Sequence, residues 1–230
     1  MLVKNWMSKK VISIDLEDSM SHAVSLIKEH KVRMMPVTKK GKLVGVVSDS
    51  DLKKASASDA TTLDVHELLY LLSKIKIKDI MTKNPITVPP DYTVEETAEI
   101  LMKNKISGVP VVDKAGEIVG IITRDDLFKV LIALSGLGRK GVQFAFKVED
   151  RPGSIKELGD IIRSYGGRIA SILGSYDRVP AGFRVVYIRA YELKREDLPK
   201  LVEELNGKAL MLYMVDHRED KRQIFHELAE

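Results

Sequence analysis

The stretch Gly41-Lys42-Leu43-Val44-Gly45-Val46-Val47-Ser48-Asp49-Ser50-Asp51-Leu52 returns as Gly116-Glu117-Ile118-Val119-Gly120-Ile121-Ile122-Thr123-Arg124-Asp125-Asp126-Leu127. Self-similarity at a fixed spacing marks a repeated architecture and has to be settled before any local reading. Working outward, Met7-Ser8-Lys9-Lys10-Val11-Ile12-Ser13-Ile14 matches Met81-Thr82-Lys83-Asn84-Pro85-Ile86-Thr87-Val88 at a spacing of 74 residues. Lys31-Val32-Arg33-Met34-Met35-Pro36-Val37 matches Lys105-Ile106-Ser107-Gly108-Val109-Pro110-Val111 at the same spacing, and one extra residue near Lys114-Ala115 shifts it to 75. Two copies of one unit result, over residues 7–55 and 79–134, joined by a connector over 56–78.

Each copy has the same grammar. A short β-rich lead-in, Val11 to Ile14 or Ile86 to Val88, runs into a helix. Two apolar strands follow, Met34 to Thr38 and Leu43 to Val47 in the first copy. The turn between them is Lys39-Lys40-Gly41 in one copy and Asp113-Lys114-Ala115-Gly116 in the other, with glycine where φ must be positive. In the second copy Val94, Ala98, Leu101 and Met102 recur at the spacing of an amphipathic helix, and Thr93 with Glu96 reads as a capping box. A second helix follows Asp51 or Asp126. One unit alone leaves an apolar strand face uncovered, so the two are expected to pack together. In the connector, 55–62 reads as a polar loop and 64–73 as a helix with a buried face.

Ser135-Gly136-Leu137-Gly138-Arg139-Lys140-Gly141 breaks the composition and reads as a linker over 135–141. It satisfies G-x-G-x-x-G, but a helix precedes it and a strand follows, the reverse of a dinucleotide fingerprint. Beyond it Val142, Phe144, Phe146 and Val148 alternate with Gln143, Ala145, Lys147 and Glu149, the period of a half-buried strand. Asp150-Arg151-Pro152-Gly153 is a turn. Ile155, Leu158, Ile161, Ile162 and Tyr165 form a helical stripe stopped by Gly166-Gly167. Strands over 168–176 and 183–191, a helix carrying Leu198, Leu201, Val202 and Leu205, and a strand over 209–215 complete the order βαββαβ within 142–216. The charged run 217–230 reads as a solvated helix or a frayed end.

The 230 residues are 44% hydrophobic and 30% charged, which excludes a disordered or collagen-like chain. Basic residues exceed acidic ones by 37 to 33, but the two are interleaved and no basic stripe argues for nucleic acid. The absence of cysteine excludes disulfides, thiolate metal sites and cysteine nucleophiles. The five histidines show no metal-ligand spacing, and no Walker or nucleophile-elbow motif occurs. The amino-terminal run lacks the apolar core of a signal peptide, and no apolar stretch reaches the ~18 residues of a membrane helix. The expectation is a soluble cytoplasmic protein that is not an enzyme and has no membrane partner.

Val109-Pro110-Val111-Val112, Met35-Pro36-Val37 and the two runs quoted first resemble a tandem pair of CBS domains (a Bateman module), covering roughly residues 7–133 of a pair domain over 1–134. Asp150-Arg151-Pro152-Gly153-Ser154-Ile155, following the first strand of the C-terminal third, resembles an ACT domain. The combination is similar to CBS–ACT regulators named for acetoin utilisation, as is the connector Ser58-Asp59-Ala60-Thr61-Thr62-Leu63-Asp64-Val65-His66-Glu67-Leu68-Leu69-Tyr70-Leu71-Leu72. The resemblance implies an α+β fold in which a CBS pair precedes a ferredoxin-like βαββαβ ACT domain.

In CBS pairs the cleft between the copies holds an adenosine nucleotide, and a Ser/Thr-x-x-Asp pattern supplies phosphate and ribose contacts. The resemblance places that pattern at Ser48 with Asp51 and at Thr123 with Asp126. A carboxylate can accept hydrogen bonds from both ribose hydroxyls, and a hydroxyl at a helix start suits a phosphate. Arg124 adds positive charge where the first copy has Asp49, so phosphate is expected beside Thr123-Arg124. The same pattern is a helix N-cap worth about 1 kcal/mol without any ligand, and the two roles can coexist. For adenine, the strand-end candidates are Ile12-Ser13, Ile86-Thr87, Met35-Pro36 and Val109-Pro110, with Met35 and Val109 read as core. Arg33 and Ser107 resemble the phosphate-facing position that opens the second strand of each copy. In ACT domains the loop corresponding to Asp150, Arg151, Pro152, Gly153 and Ser154 is where a small ligand, often an amino acid, sits at a dimer interface. These residues also make an ordinary strand-to-helix turn, and that structural role ranks first.

The function this implies is non-catalytic sensing. AMP, ADP, ATP or S-adenosylmethionine occupies the CBS cleft as a regulatory ligand, an amino acid or dimerisation engages the ACT domain, and a homodimer modulates a partner protein without a cofactor. The alternatives are a nucleic-acid-binding regulator, prompted only by an isoelectric point near 9.0, or a purely structural dimerisation module. A nucleotide hydrolase using Asp51 or Asp126 as base lacks an activated nucleophile or a metal cluster.

Overall fold

The computed structural model describes residues 1–59 and 74–227; the connector reading over 64–73 lies outside them, and of the expected polar loop over 55–62 the described part, 55–59, is helical instead. In the first copy the elements are β1 (Ile14–Asp15), α1 (Met20–His30), β2 (Met34–Lys39), β3 (Lys42–Ser48) and α2 (Asp49–Asp59). A short helix α3 (Ile77–Ile80) and β4 (Thr82–Lys83) lead into the second copy, which has α4 (Val94–Lys103), β5 (Gly108–Val112), β6 (Ile118–Thr123) and α5 (Arg124–Leu134). The C-terminal elements are β7 (Val142–Glu149), α6 (Ser154–Ser164), β8 (Arg168–Ser175), β9 (Phe183–Tyr191), α7 (Leu198–Lys208), β10 (Leu210–Asp216) and β11 (Lys221–Ile224).

The β2–β3 hairpin turns on Lys40 and Gly41, both at positive φ (51° and 80°), as a two-residue turn requires. The capping box of α4 is present in full: Thr93 N–H donates to Glu96 Oε2 (2.7 Å) and Glu96 N–H to Thr93 Oγ1 (3.1 Å). Its buried face is Val94, Thr97 and Leu101 rather than the expected stripe, and Met102 is 78% exposed. Thr97 can be buried because its hydroxyl donates to the Thr93 carbonyl (3.0 Å). The strand lead-ins are shorter than the sequence suggests. Ile14–Asp15 pairs in parallel with β2, and of Ile86 to Val88 Val88 bridges to Val111.

The two copies are joined by exchange. β4, at the start of the second copy, pairs with β3 of the first, Thr82 opposite Val46 and Lys83 opposite Gly45. Reciprocally, Ser8 pairs with Ile121 in the second copy, through Ser8 N–H to the Ile121 carbonyl (2.9 Å) and Ile121 N–H back (3.0 Å). Each sheet is thus closed at one edge by residues that lead into the other copy. The exchanged segments press on glycine. A Cβ on Gly45 would lie 2.7 Å from Met81 Sδ and 2.9 Å from the Thr82 carbonyl oxygen, and one on Gly120 would collide with Met7 Sδ. Met35, Val37, Val47, Leu52 and Ile77 pack the first core, and Leu101, Val109, Val111 and Ile122 are equally buried in the second copy.

Contacts divide the chain between Phe128 and Lys129. In the C-terminal unit the sheet order is β11-β10-β7-β9-β8. Phe144, Phe146, Val186 and Ile188 pack against Leu158, Ile162, Leu201 and Leu205 of α6 and α7. Ala145, Val185 and Leu212 are buried on the opposite face beside Tyr187 and Tyr213.

Two expectations need correction here. The charged tail contains a strand: β11 pairs antiparallel with β10 from Tyr213 opposite Ile224 to Asp216 opposite Lys221. Every β11 side chain is exposed, so no alternation betrays it. Its turn is held instead by Arg218, which bonds both carboxylate oxygens of buried Asp216 (2.9 and 2.7 Å) and the Leu193 carbonyl (2.7 Å). Nor is 135–141 a free tether. The Ser135 carbonyl accepts from Arg189 Nε (2.7 Å) and Ser171 Oγ (2.8 Å), and a Cβ on Gly141 would overlap the Ala190 carbonyl oxygen. The glycines there serve close approach to β9.

If the exchange locks the pair, Gly45→Ala and Gly120→Ala each lower stability by about 1–3 kcal/mol through overpacking. Gly174→Ala, whose added methyl meets only the Val185 carbonyl at 3.8 Å, stays within about 0.5 kcal/mol. Urea unfolding followed by circular dichroism measures both, and equal midpoints for all three would refute the lock.

Candidate functional site

The repeated helix starts are built alike, atom for atom. Ser48 N–H and Oγ both donate to Asp51 Oδ2 (2.9 and 2.6 Å), and Asp51 N–H donates back to Ser48 Oγ (3.3 Å). Thr123 N–H and Oγ1 donate to Asp126 Oδ2 (3.0 and 2.7 Å), with Asp126 N–H returning to Thr123 Oγ1 (3.4 Å). Both are reciprocal N-caps, so the structural role foreseen for Ser/Thr-x-x-Asp is realised in each copy. The cap uses one oxygen, Oδ2, of each carboxylate. Asp126 is 6% exposed, and Asp51 is half-buried.

The strand before each hairpin meets these helix starts. The Arg33 carbonyl accepts from Asp49 N–H (3.0 Å), and the Ser107 carbonyl accepts from Arg124 N–H (2.9 Å). Arg33 then does something no repeat comparison indicates: its guanidinium lies 3.8 Å from Asp125 of the second copy. Arg124 Nε donates to the Ile106 carbonyl (3.0 Å), which draws its charge back toward the start of β5. The first helix start holds Asp49 paired with Lys53 (2.6 Å). The second copy's helix start thus gathers Arg33 and Arg124, and the first offers Asp49 in the place of Arg124. Asp125 and Ile106 were not legible as site residues. The one signal was that Asp125 faces no acidic counterpart at Ser50.

Pro36 and Pro110 are buried in β2 and β5, opposite Val46 and Ile121. Met35 and Val109 are core. Ile12 is half-buried while Ser13, Ile86 and Thr87 are exposed, and all four sit at the strand lead-ins rather than at the helix starts.

In the C-terminal unit, Asp150, Arg151, Pro152, Gly153 and Ser154 form one loop with its polar groups largely satisfied internally. Arg151 bonds both oxygens of Glu157 (2.8 and 3.0 Å), Glu149 (3.3 Å) and the Pro152 carbonyl (3.3 Å). Ser154 Oγ donates to the Arg151 carbonyl (3.1 Å) and accepts from Arg184 (3.3 Å), and Asp150 pairs with Arg184 (3.4 Å). Gly153 takes φ 88°, the left-handed conformation that opens α6. A concavity of about 370 Å³ borders the loop, lined in part by Lys147, Arg151, Ser154, Glu157 and Lys208.

Hydrogen bonding to Arg151, against the cost of burial, holds the Glu157 carboxyl down at about 2. A folded-state value below the ordinary 4.5 means that this pair's contribution is complete above pH 4.5 and is lost as the pH falls through about 2. Carboxyl NMR titration of Glu157 is expected to show no protonation at pH 4, and Arg151→Ala to return its midpoint toward 4.5. Ser48→Ala and Thr123→Ala each cost about 1 kcal/mol of ligand-free stability through loss of a cap, read by thermal unfolding.

Among the described residues there is no metal-binding cluster, and no helix is long and apolar enough to cross a membrane. The CBS-domain family pattern matches residues 3–58 and 77–133. Protein MJ1426 of Methanocaldococcus jannaschii is 32% identical over 155 residues, a match covering 57% of this chain and 92% of that protein. The solved structure of the CBS-pair protein CBSX2 from Arabidopsis thaliana is 30% identical with a TM-score of 0.50, covering 57% of this chain and 94% of that one. A candidate acetoin utilization protein (AcuB) from Vibrio cholerae is 27% identical with a TM-score of 0.50, covering 60% and 95%. With the duplicated helix starts and the exchanged strands that link them, these matches show that the chain belongs to the CBS-domain family and carries the domain twice.

Proposed function

We propose that the CBS pair is a non-catalytic sensor that binds an adenosine nucleotide and passes its occupancy to a partner protein. The observation that carries this reading is the matched pair of reciprocal caps, Ser48 with Asp51 and Thr123 with Asp126, each holding a carboxylate in place at the start of a helix through one oxygen. A ribose contributes two adjacent hydroxyl donors, and a carboxylate accepts both. Phosphate belongs at the second copy, where Arg33 and Arg124 offset Asp125 and Asp126. The first copy, with Asp49 beside Asp51, favours an uncharged or cationic adenosine compound. Ile12, Ser13, Pro36, Ile86, Thr87 and Pro110 supply the apolar walls and backbone groups for adenine, with Ser107 the second copy's weaker counterpart to Arg33.

The C-terminal unit has the element order of an ACT domain, and we assign it that role. Its loop at 150–154 is already bonded internally, which favours association over ligand capture. A homodimer whose C-terminal units pack together fits this, with an amino acid as the alternative occupant of the loop. A ligand can change a partner's activity only through different affinities for two conformations, so the partner must discriminate the loaded from the empty pair.

Calorimetric titration with AMP, ADP, ATP and S-adenosylmethionine tests the reading. At least one is expected to bind, and Asp51→Asn with Asp126→Asn, which keep an oxygen for the cap, to weaken it by about 10- to 100-fold. Asp49→Arg is expected to raise the phosphorylated ligands' stoichiometry toward two. Unchanged affinity in the double variant would remove the ribose role.

A further inference from the structure

Two of the buried or half-buried guanidinium groups in the C-terminal unit have a carboxylate: Arg184 pairs with Asp150 at 3.4 Å and Arg218 with Asp216 at 2.7 Å. Arg189 has none among the described residues. It is 4% exposed, and its Nε and Nη2 donate to neutral acceptors, the Ser135 carbonyl (2.7 Å) and Gln143 Oε1 (2.6 Å). Its Nη1 is enclosed with no partner at all. Tyr213, whose hydroxyl lies 3.5 Å from Gln143 Nε2, does not supply the missing charge, since burial keeps its phenol protonated further above the usual range.

A second orphan lies close by. Across the sheet Gln143 stands between Arg189 and Val215, and His217 follows two residues later with its N–H on the Gly141 carbonyl (3.1 Å). Its Nε2 is also enclosed and unpartnered. Burial first, and then the charge of Arg189, hold this imidazole below its ordinary range. The cover is tight: a Cβ on Gly136 would lie 3.0 Å from Ala170 Cβ and 3.4 Å from Arg189 Cδ.

A buried cation without counter-charge is among the costlier arrangements a protein can hold, and native structures resolve it by pairing. We propose that Arg189 and His217 enclose an internal site for one small monovalent anion, chloride or a small carboxylate, on the covered face of the C-terminal sheet. The anion accepts from Nη1, accepts from His217 in its Nε2-protonated form, and neutralises the guanidinium. A water molecule would satisfy the orphan N–H but leave the charge. This site is independent of the nucleotide reading, and either can fail alone.

The test uses the full chain in a buffer whose only anion is gluconate, titrated at constant ionic strength with sodium chloride or sodium acetate. The thermal midpoint is expected to rise with the logarithm of anion concentration, and the His217 ring resonances to shift saturably. A response to acetate alone assigns the carboxylate, and one to chloride alone the halide. Where chloride gives the response, crystals soaked in bromide are expected to show an anomalous peak beside Arg189 Nη1. Arg189→Leu is expected to abolish the response. Should that variant fail to fold, His217→Gln keeps the guanidinium and is expected to weaken the affinity, and an unchanged affinity would overturn the two-residue site. Absence of any saturable response to either anion overturns the proposal, as does a chloride response with no bromide signal at Nη1.

Discussion

The pairing of Ser8 with Ile121 and of Thr82 with Val46 is the constraint on which the CBS half depends. A sheet edge left open exposes a row of unpaired N–H and C=O groups, and here each copy's edge is closed by residues leading into the other. The hydrogen bonds are few, but the methionine behind each segment occupies the space over Gly45 or Gly120. Neither glycine takes an unusual φ. Both are needed because a neighbour's chain passes where a side chain would be. The exchange relates the two copies by approximate two-fold symmetry, and one consequence is visible at Arg33, which is bonded through its carbonyl to its own copy's helix start and through its guanidinium to the other's.

Much of this was legible because repetition is a strong signal. The hairpins, the helices after Ser48 and Thr123, the capping box at Thr93 and the βαββαβ order all follow from patterns whose physical cause is local. What escaped was set by tertiary contact. The stripe through Met102 failed because the buried face of that helix includes Thr97, a polar residue whose hydroxyl is satisfied by the Thr93 carbonyl, in place of Met102. β11 was invisible because an edge strand with both faces in water carries no alternation, and its placement depends on an Asp216–Arg218 clamp two residues long. The glycine-rich run at 135–141 looked like a tether for a similar reason: glycine permits flexibility and close packing alike, and only the Arg189 and Ser171 bonds to the Ser135 carbonyl decide between them.

At the candidate nucleotide site, a cap and a ligand contact are compatible demands on one carboxylate. A carboxylate that must reach a ribose benefits from being held, since an unrestrained side chain loses rotamer freedom on binding. Ser48 and Thr123 fix one oxygen of Asp51 and Asp126 before any ligand arrives. Stability and preorganisation then come from the same hydrogen bonds. The caps are alike in both copies while their neighbours differ, Asp49 against Arg124 and Ser107 against Arg33, and on the proposed reading that difference makes the two sites unlike.

The C-terminal unit separates two criteria for locating a ligand. The loop at 150–154 lies beside a concavity and has suggestive residues, but its charges are already paired, so an incoming ligand must first break Arg151 from Glu157. Arg189 and His217 lie under a cover instead of a cleft, and their nitrogens are unpaired. Desolvating a polar group is costly only when nothing replaces its water, so an enclosed orphan marks a missing partner more directly than shape does. By that measure the loop reads as an ordered turn, and the unmet demand for negative charge in this unit sits on the other face of its sheet.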